Sequence, residues 1–184
     1  MKTVLVKPAR LFLRLFYRKE WLGGKWFEKS RAGYFWALRS LLTHLLRGQP
    51  WPVSRYNIVQ NPKRLFIDPS SLNCLQGRGC YFQNQRADII IGRDVYIANN
   101  VGLITENHDP GNLDLHLPGR DVVVGDRCWI GMNSVLLPGV VLGEGTVVGA
   151  GAVVTKPFPR GHCVIAGNPA RVIRELSPDG ETKP

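Results

Sequence analysis

Cysteine is scarce in this chain of 184 residues: Cys74, Cys80, Cys128 and Cys163 form no CxxC pair. That excludes a disulfide-dense scaffold and the usual zinc and redox spacings, and points to reduced, structural thiols in a cytoplasmic protein. A long apolar run is also missing, because Lys7, Arg10, Arg14, Arg18 and Lys19 interrupt the N-terminus. Neither a spanning helix nor a secretory h-region is expected there. Acidic residues are nearly absent from the first 55 positions, where twelve Lys and Arg face only Glu20 and Glu28. Residues 56–184 carry twelve of each sign, so the net charge of +10 lies entirely in the N-terminal part. Such charge suits nucleic acid, an anionic membrane or acidic ligands. No nucleic-acid motif accompanies it, and nucleic acid is set aside as a partner. The length allows one well-buried domain with an appendage.

What the sequence does contain is a period of six. Ile91, Ile97 and Leu103 hold one phase; Val124, Ile130, Leu136, Leu142, Val148 and Val154 hold a second. Two places before each stands a small or medium residue: Ile89, Val95, Val101, Val122, Cys128, Ser134, Val140, Thr146 and Ala152. Gly92, Gly125, Gly131, Gly143 and Gly149 follow directly, which reads as a recurring turn where glycine relieves backbone strain. Six is far from a multiple of 3.6, and hairpins would not keep a fixed phase this long. The expectation is a parallel β-helix in which three hexads close a triangular coil, stacked at about 4.8 Å on the next. Between Leu103 and Val124 the phase slips, and the turn-rich DPGNLDLHLPGRD marks a loop leaving the column directly after a histidine.

TENHDP, the loop, and the stretch with WIG (129–131), PGV (138–140), GAG (149–151), VTK (154–156) and GNPARVIREL together resemble the left-handed β-helix acetyltransferases of the maltose, galactoside and nodulation sugar type. The resemblance covers residues 89–176. It implies left-handed coiling, a homotrimer with sites between neighbouring columns, acetyl-CoA as cosubstrate with no metal required, and His108 as the catalytic histidine. It also places Met132 at the acetyl end, Ala150 and Thr155 along the pantetheine arm, and Lys156, Arg171 and Arg174, with Arg160 nearby, at the phosphates.

Acetyl transfer to a hydroxyl needs a base for the departing proton, and imidazole titrates in the working range. Glu106 or Asp109 is expected to orient the His108 ring. No Ser-His-Asp order or activated-cysteine pattern is evident, so direct ternary transfer is favoured. His44 falls in the N-terminal helices and His162 in a turn, while His116 on the loop, Trp129 and Asn84 are candidate acceptor contacts. With one histidine in the repeat, a zinc hydratase of the γ-carbonic anhydrase type is disfavoured. The alternatives left open are N-acylation of an amino sugar, acetylation of serine or an antibiotic, and a noncatalytic scaffold.

N-terminal to the repeat, residues 8–22 and a segment from Ser30 as N-cap to Arg47 read as amphipathic helices, and WPVSRYN as a linker. Two roles are open for them: capping the column end, or peripheral contact with an anionic membrane at its inner face. The expected architecture is thus an all-β solenoid. A basic helical extension (1–55) precedes a left-handed β-helix acyltransferase domain (56–172), with one protruding loop at about 109–121 and a C-terminal tail (173–184). The expected activity is acetyl transfer to a sugar or glycan precursor in polysaccharide biosynthesis.

Overall fold

The computed structural model describes residues 6–23, 27 and 31–178. From residue 58 the chain winds through three parallel sheets in rotation. In chain order the strands are β1 (Ile58–Val59), β2 (Leu65–Ile67), β3 (Tyr81–Gln83), β4 (Ile89–Ile91), β5 (Tyr96–Ile97), β6 (Gly102–Ile104), β7 (His108–Asp109), β8 (Asn112–His116), β9 (Val122–Val124), β10 (Trp129–Ile130), β11 (Val135–Leu136), β12 (Val141–Leu142), β13 (Val147–Val148), β14 (Val153–Val154), β15 (Cys163–Gly167) and β16 (Ala170–Glu175). The first face stacks β1, β3, β6, β11 and β14; the second β2, β4, β9 and β12; the third β5, β10, β13 and β15, onto which β16 folds back antiparallel. A 3-10 helix (Pro69–Leu75) stands in place of a third-face strand between β2 and β3, and a single bridge at Phe158 in place of a second-face strand between β14 and β15. Register is kept from coil to coil, as in Ile97↔Ile130↔Val148↔Ile165.

The reason is burial at both repeating positions. All nine aliphatic residues of the hexad are buried, and so are all nine of the smaller residues two places before them. Polar members of the smaller set are satisfied at the turns: Ser134 Oγ donates to Gly131 O at 2.7 Å and Thr146 Oγ1 to Gly143 O at 2.7 Å. Buried hydroxyls so bonded avoid the desolvation penalty of an orphan. The four cysteines are free and buried. Burial pushes the Cys128 thiol up to about 11, so it packs as a neutral side chain.

The hexad glycines serve a different purpose from the one expected. Gly92, Gly125, Gly131, Gly143 and Gly149 do not adopt positive φ; that conformation belongs to Gly139, Gly145, Gly151 and Gly161, and to Asp94, Asn100, Arg127 and Asn133. What the hexad glycines supply is room. A Cβ on Gly125 would lie 2.8 Å from Leu142 O, and one on Gly131 2.6 Å from Ala150 N, both main-chain atoms of the next coil. Gly131→Ala is therefore expected to destabilise the fold by ~1–3 kcal/mol in chemical denaturation, the usual range for overpacking. Gly151→Asn should cost far less, because Asn133 and Asn100 hold the same left-handed conformation at the turns stacked beneath it. Equal losses from the two substitutions would contradict the assignment.

Of the two expected N-terminal helices, the second is present and the first departs from expectation. Helix α1 (Val6–Leu13) ends early, a 3-10 turn spans Lys19–Leu22, and α2 runs Arg31–Arg47; Ser30 lies outside the described residues. Leu13, Tyr17 and Leu22 are all buried. A continuous helix would turn Leu22 about 140° away from Tyr17, so the break brings all three to one side. Tyr17 Oη bonds Ser40 Oγ at 3.0 Å and ties the turn after α1 to α2. WPVSRYN is not a loose linker: Trp51 and Val53 are buried in the same apolar cluster that runs through the column. At the other end, β16 runs through Glu175.

Candidate active site

Strand β6 leaves the first face, and the chain re-enters the second only at β9; between them it forms a β-hairpin rather than an irregular loop. The hairpin is rooted on the preceding coil, where Gln83 Oε1 accepts from the amides of Thr105 (2.9 Å) and Glu106 (3.1 Å). Arg120 N donates to Thr105 O at 2.8 Å and closes the base. At the tip, Asp109 Oδ1 accepts from Gly111 N at 2.8 Å and Asn112 Oδ1 from Asp114 N at 3.1 Å, turns that Asp and Asn make locally.

On this hairpin His108 stands exposed, opposite His116 in register. Its Nδ1 lies 2.6 Å from the carbonyl oxygen of Leu113. A carbonyl can only accept, so Nδ1 carries the proton and Nε2 the free lone pair, the tautomer a base requires. The orienting group is thus a backbone oxygen and neither of the expected carboxylates: Asp109 is committed to its turn, and Glu106 faces elsewhere. Glu106 is buried at 4% exposure, with Oε2 3.5 Å from Arg86 Nε and 3.8 Å from His116 Nδ1. Glu106 Oε2 and His116 Nδ1 have no hydrogen-bond partner among the described residues. The His116 ring packs on His108 at 4.2 Å between centroids, tilted 35°. His116 thus braces the His108 ring.

The other expected residues divide between two edges of the prism. Thr155 and Lys156, both exposed, follow β14 at the edge joining the first and second faces, the edge from which the hairpin springs. Lys156 Nζ sits 5.7 Å from the Phe158 ring centre. Met132 and Ala150 lie at the edge joining the third face to the first, at stacked turns linked by Gly151 N to Met132 O at 2.8 Å. Trp129 projects from the third face, 56% exposed, and Met132 is 47% exposed. Arg171 and Arg174 are exposed on β16, with Arg171 Nη1 bonding Ala170 O at 3.0 Å; Arg160 lies 3.9 Å from Glu175. Asn84 is fully buried, and both ends of its amide are used by the Asn61 backbone, accepting at 3.0 Å and donating at 2.7 Å. It clamps two coils together and leaves nothing for an acceptor.

Three contributors went unread in the sequence. Arg86 beside Glu106 and Gln83 under the hairpin carry no local signature, and Leu113 acts through its main chain. Arg120 also lies close, its guanidinium 3.2 Å from where a Cβ on Gly139 would stand. Among the described residues, no three His, Cys, Asp or Glu side chains are grouped so as to hold a metal ion.

Residues 121–156 match the family model described as bacterial transferase hexapeptide (six repeats). Galactoside O-acetyltransferase of Escherichia coli K12 is 41% identical over 93 residues, 48% of this chain and 45% of that protein. The chain spans about half the length of the curated relatives it matches. Among solved structures, a maltose O-acetyltransferase from Clostridium difficile 630 superposes with a TM-score of 0.50 at 26% identity, covering 95% of this chain and 89% of that one. A galactoside acetyltransferase in complex with coenzyme A shares the fold with a TM-score of 0.50 at 23% identity, covering 96% and 86%.

The column is therefore a left-handed parallel β-helix of hexapeptide repeats. Within that class, the chain is similar to the maltose and galactoside O-acetyltransferases.

Proposed function

We propose that the protein transfers an acetyl group from acetyl-CoA to a hydroxyl of a sugar or glycan precursor, with His108 as general base. The observation that carries this reading is the His108 ring held by Leu113 O with its Nε2 lone pair free, on a hairpin at an exposed edge. The acceptor hydroxyl gives its proton to Nε2 as its oxygen attacks the thioester carbonyl. The C–S bond then breaks, and the imidazolium returns the proton to the departing thiolate. A covalent acyl-enzyme is disfavoured because the four cysteines are buried and Cys128 is held protonated. Backbone amides at the turns are suited to the thioester oxygen, and Lys156, Arg171 and Arg174 to the phosphates of the cofactor. The test is thiol release from acetyl-CoA across a sugar panel, with amino sugars included to distinguish O- from N-transfer. Cofactor binding without thiol release on any acceptor would favour a scaffold.

The site is complete only in an oligomer, on this reading. His108, Thr155 and Lys156 lie on one edge, whereas Met132, Ala150 and Trp129 belong to another edge and face. A cyclic trimer brings the first edge of one copy against the other edge of the next, joining the two sets.

Peripheral membrane contact is the second part of the proposal, resting on the helices. Leu11, Phe12 and Leu15 are exposed near Arg10, Arg14 and Arg18, and Leu38, Leu42, Leu45 and Leu46 on α2 are exposed as well. Basic residues interleaved with apolar ones suit an anionic interface. No helix among the described residues is long and apolar enough to cross a membrane. In flotation assays the protein should partition to phosphatidylglycerol vesicles and much less to phosphatidylcholine, and Leu42→Glu with Leu46→Glu should release it. Equal partition of parent and variant would refute the contact.

A further inference from the structure

A second concave site lies away from the hairpin, where α2 meets the first coil. It is a cavity of about 370 Å³ lined by Trp36 and Arg39 of α2, Arg55 and Tyr56 of the connection, and Gln76 and Arg78 of the coil. Three arginines therefore line one cavity. Among the described residues, no carboxylate pairs with Arg39, Arg55 or Arg78. By contrast, Arg64, Arg93 and Arg127 farther along the column each have an acidic partner within 2.9 Å.

Tyr56 fixes the arrangement. Arg55 and Arg78 lie 4.9 and 4.8 Å from its ring centre, and Arg55 Nη2 donates to its hydroxyl at 2.8 Å. Stacked guanidiniums lose part of their freedom before any ligand arrives, and keep N–H groups for a planar or tetrahedral oxyanion. The Tyr56 hydroxyl reports the field: the Arg55 hydrogen bond and charge hold it below the usual phenol range, and Arg78 and Arg39 add to the effect. The indole N–H of Trp36 is buried without a hydrogen-bond partner, a donor in want of an acceptor. Like charges gathered in one cavity repel, and an anion between them turns that repulsion into attraction.

We propose that this cavity binds a phosphate-bearing group, a phosphomonoester or pyrophosphate, through Arg39, Arg55 and Arg78. The same chemistry is offered by the headgroup of a lipid and by a free phosphorylated ligand. The exposed leucines of α2, on the helix that contributes Arg39, suit the headgroup. The inference stands apart from the acetyl-transfer site and survives if that reading fails.

The probes are inorganic pyrophosphate, titrated calorimetrically with saturating coenzyme A so that any cofactor site is filled, and vesicles of phosphatidic acid or phosphatidylglycerol at matched surface charge. Arg55→Gln and Arg78→Gln change exposed side chains, and unchanged thermal melting will show that the fold persists. If the ligand is free in solution, pyrophosphate binds, each substitution weakens it about tenfold, and the two vesicle types retain the protein equally. If it is a lipid headgroup, phosphatidic acid retains more protein than phosphatidylglycerol, and the substitutions erase that preference. Pyrophosphate affinity insensitive to both substitutions, or neither pyrophosphate binding nor a vesicle preference, overturns the proposal.

Discussion

His108→Ala is expected to lower the rate of thiol release on an accepted sugar by ~100- to 10,000-fold, the range typical for removal of a general base. Melting temperature should barely move, because the ring is exposed and leaves no cavity in the column. The loss should fall on kcat with little change in the KM for acetyl-CoA if, as proposed, the imidazole acts on the acceptor proton and not on the phosphates. His116→Ala should do less: it loosens the ring packed 4.2 Å away but leaves the Leu113 carbonyl to hold the tautomer. Undiminished turnover in His108→Ala would remove this residue from the chemistry.

The second large effect concerns how copies share a site. His108→Ala should disable one edge of the prism, and Ala150→Trp should fill the turn at another edge, along which the proposed cofactor arm runs; each variant alone should be nearly inactive. Co-expressed in equal amounts, the two chains should form mixed oligomers if the proposed trimer holds. A site built from edges of neighbouring copies then has a sound His108 from one chain and a sound Ala150 from the next in roughly a quarter of cases, by random assortment in a cyclic oligomer. Recovery of activity to about that fraction of the parent is the expected result, read by thiol release on the purified mixture. A site contained within one chain would give no recovery at all.

How far the sequence could be read depended on whether a feature repeats. The nine hexad positions and their nine smaller companions were legible because a column imposes the same demand on every coil, and each is buried. The slip between Leu103 and Val124 marked where the hairpin emerges, and with it His108. The role of the hexad glycines was misread, since sequence shows that a side chain is missing but not whether φ or space requires it. Helix α1 was drawn too long because charge spacing was weighed above the burial of Leu22. Asn84 looked available as a polar residue near the repeat, whereas its amide is spent on Asn61. The brace on His108 was invisible for a simpler reason: a carbonyl oxygen belongs to every residue, and only folding chose that of Leu113.

A crystal structure of the protein with coenzyme A bound puts His108 and the divided site to the same test. The cofactor sulfur should lie beside Nε2 of His108 from one copy, with Met132 and Ala150 of the adjacent copy along the arm and Lys156, Arg171 and Arg174 near the phosphates. A cofactor seated away from His108, or held wholly by a single chain, would contradict it.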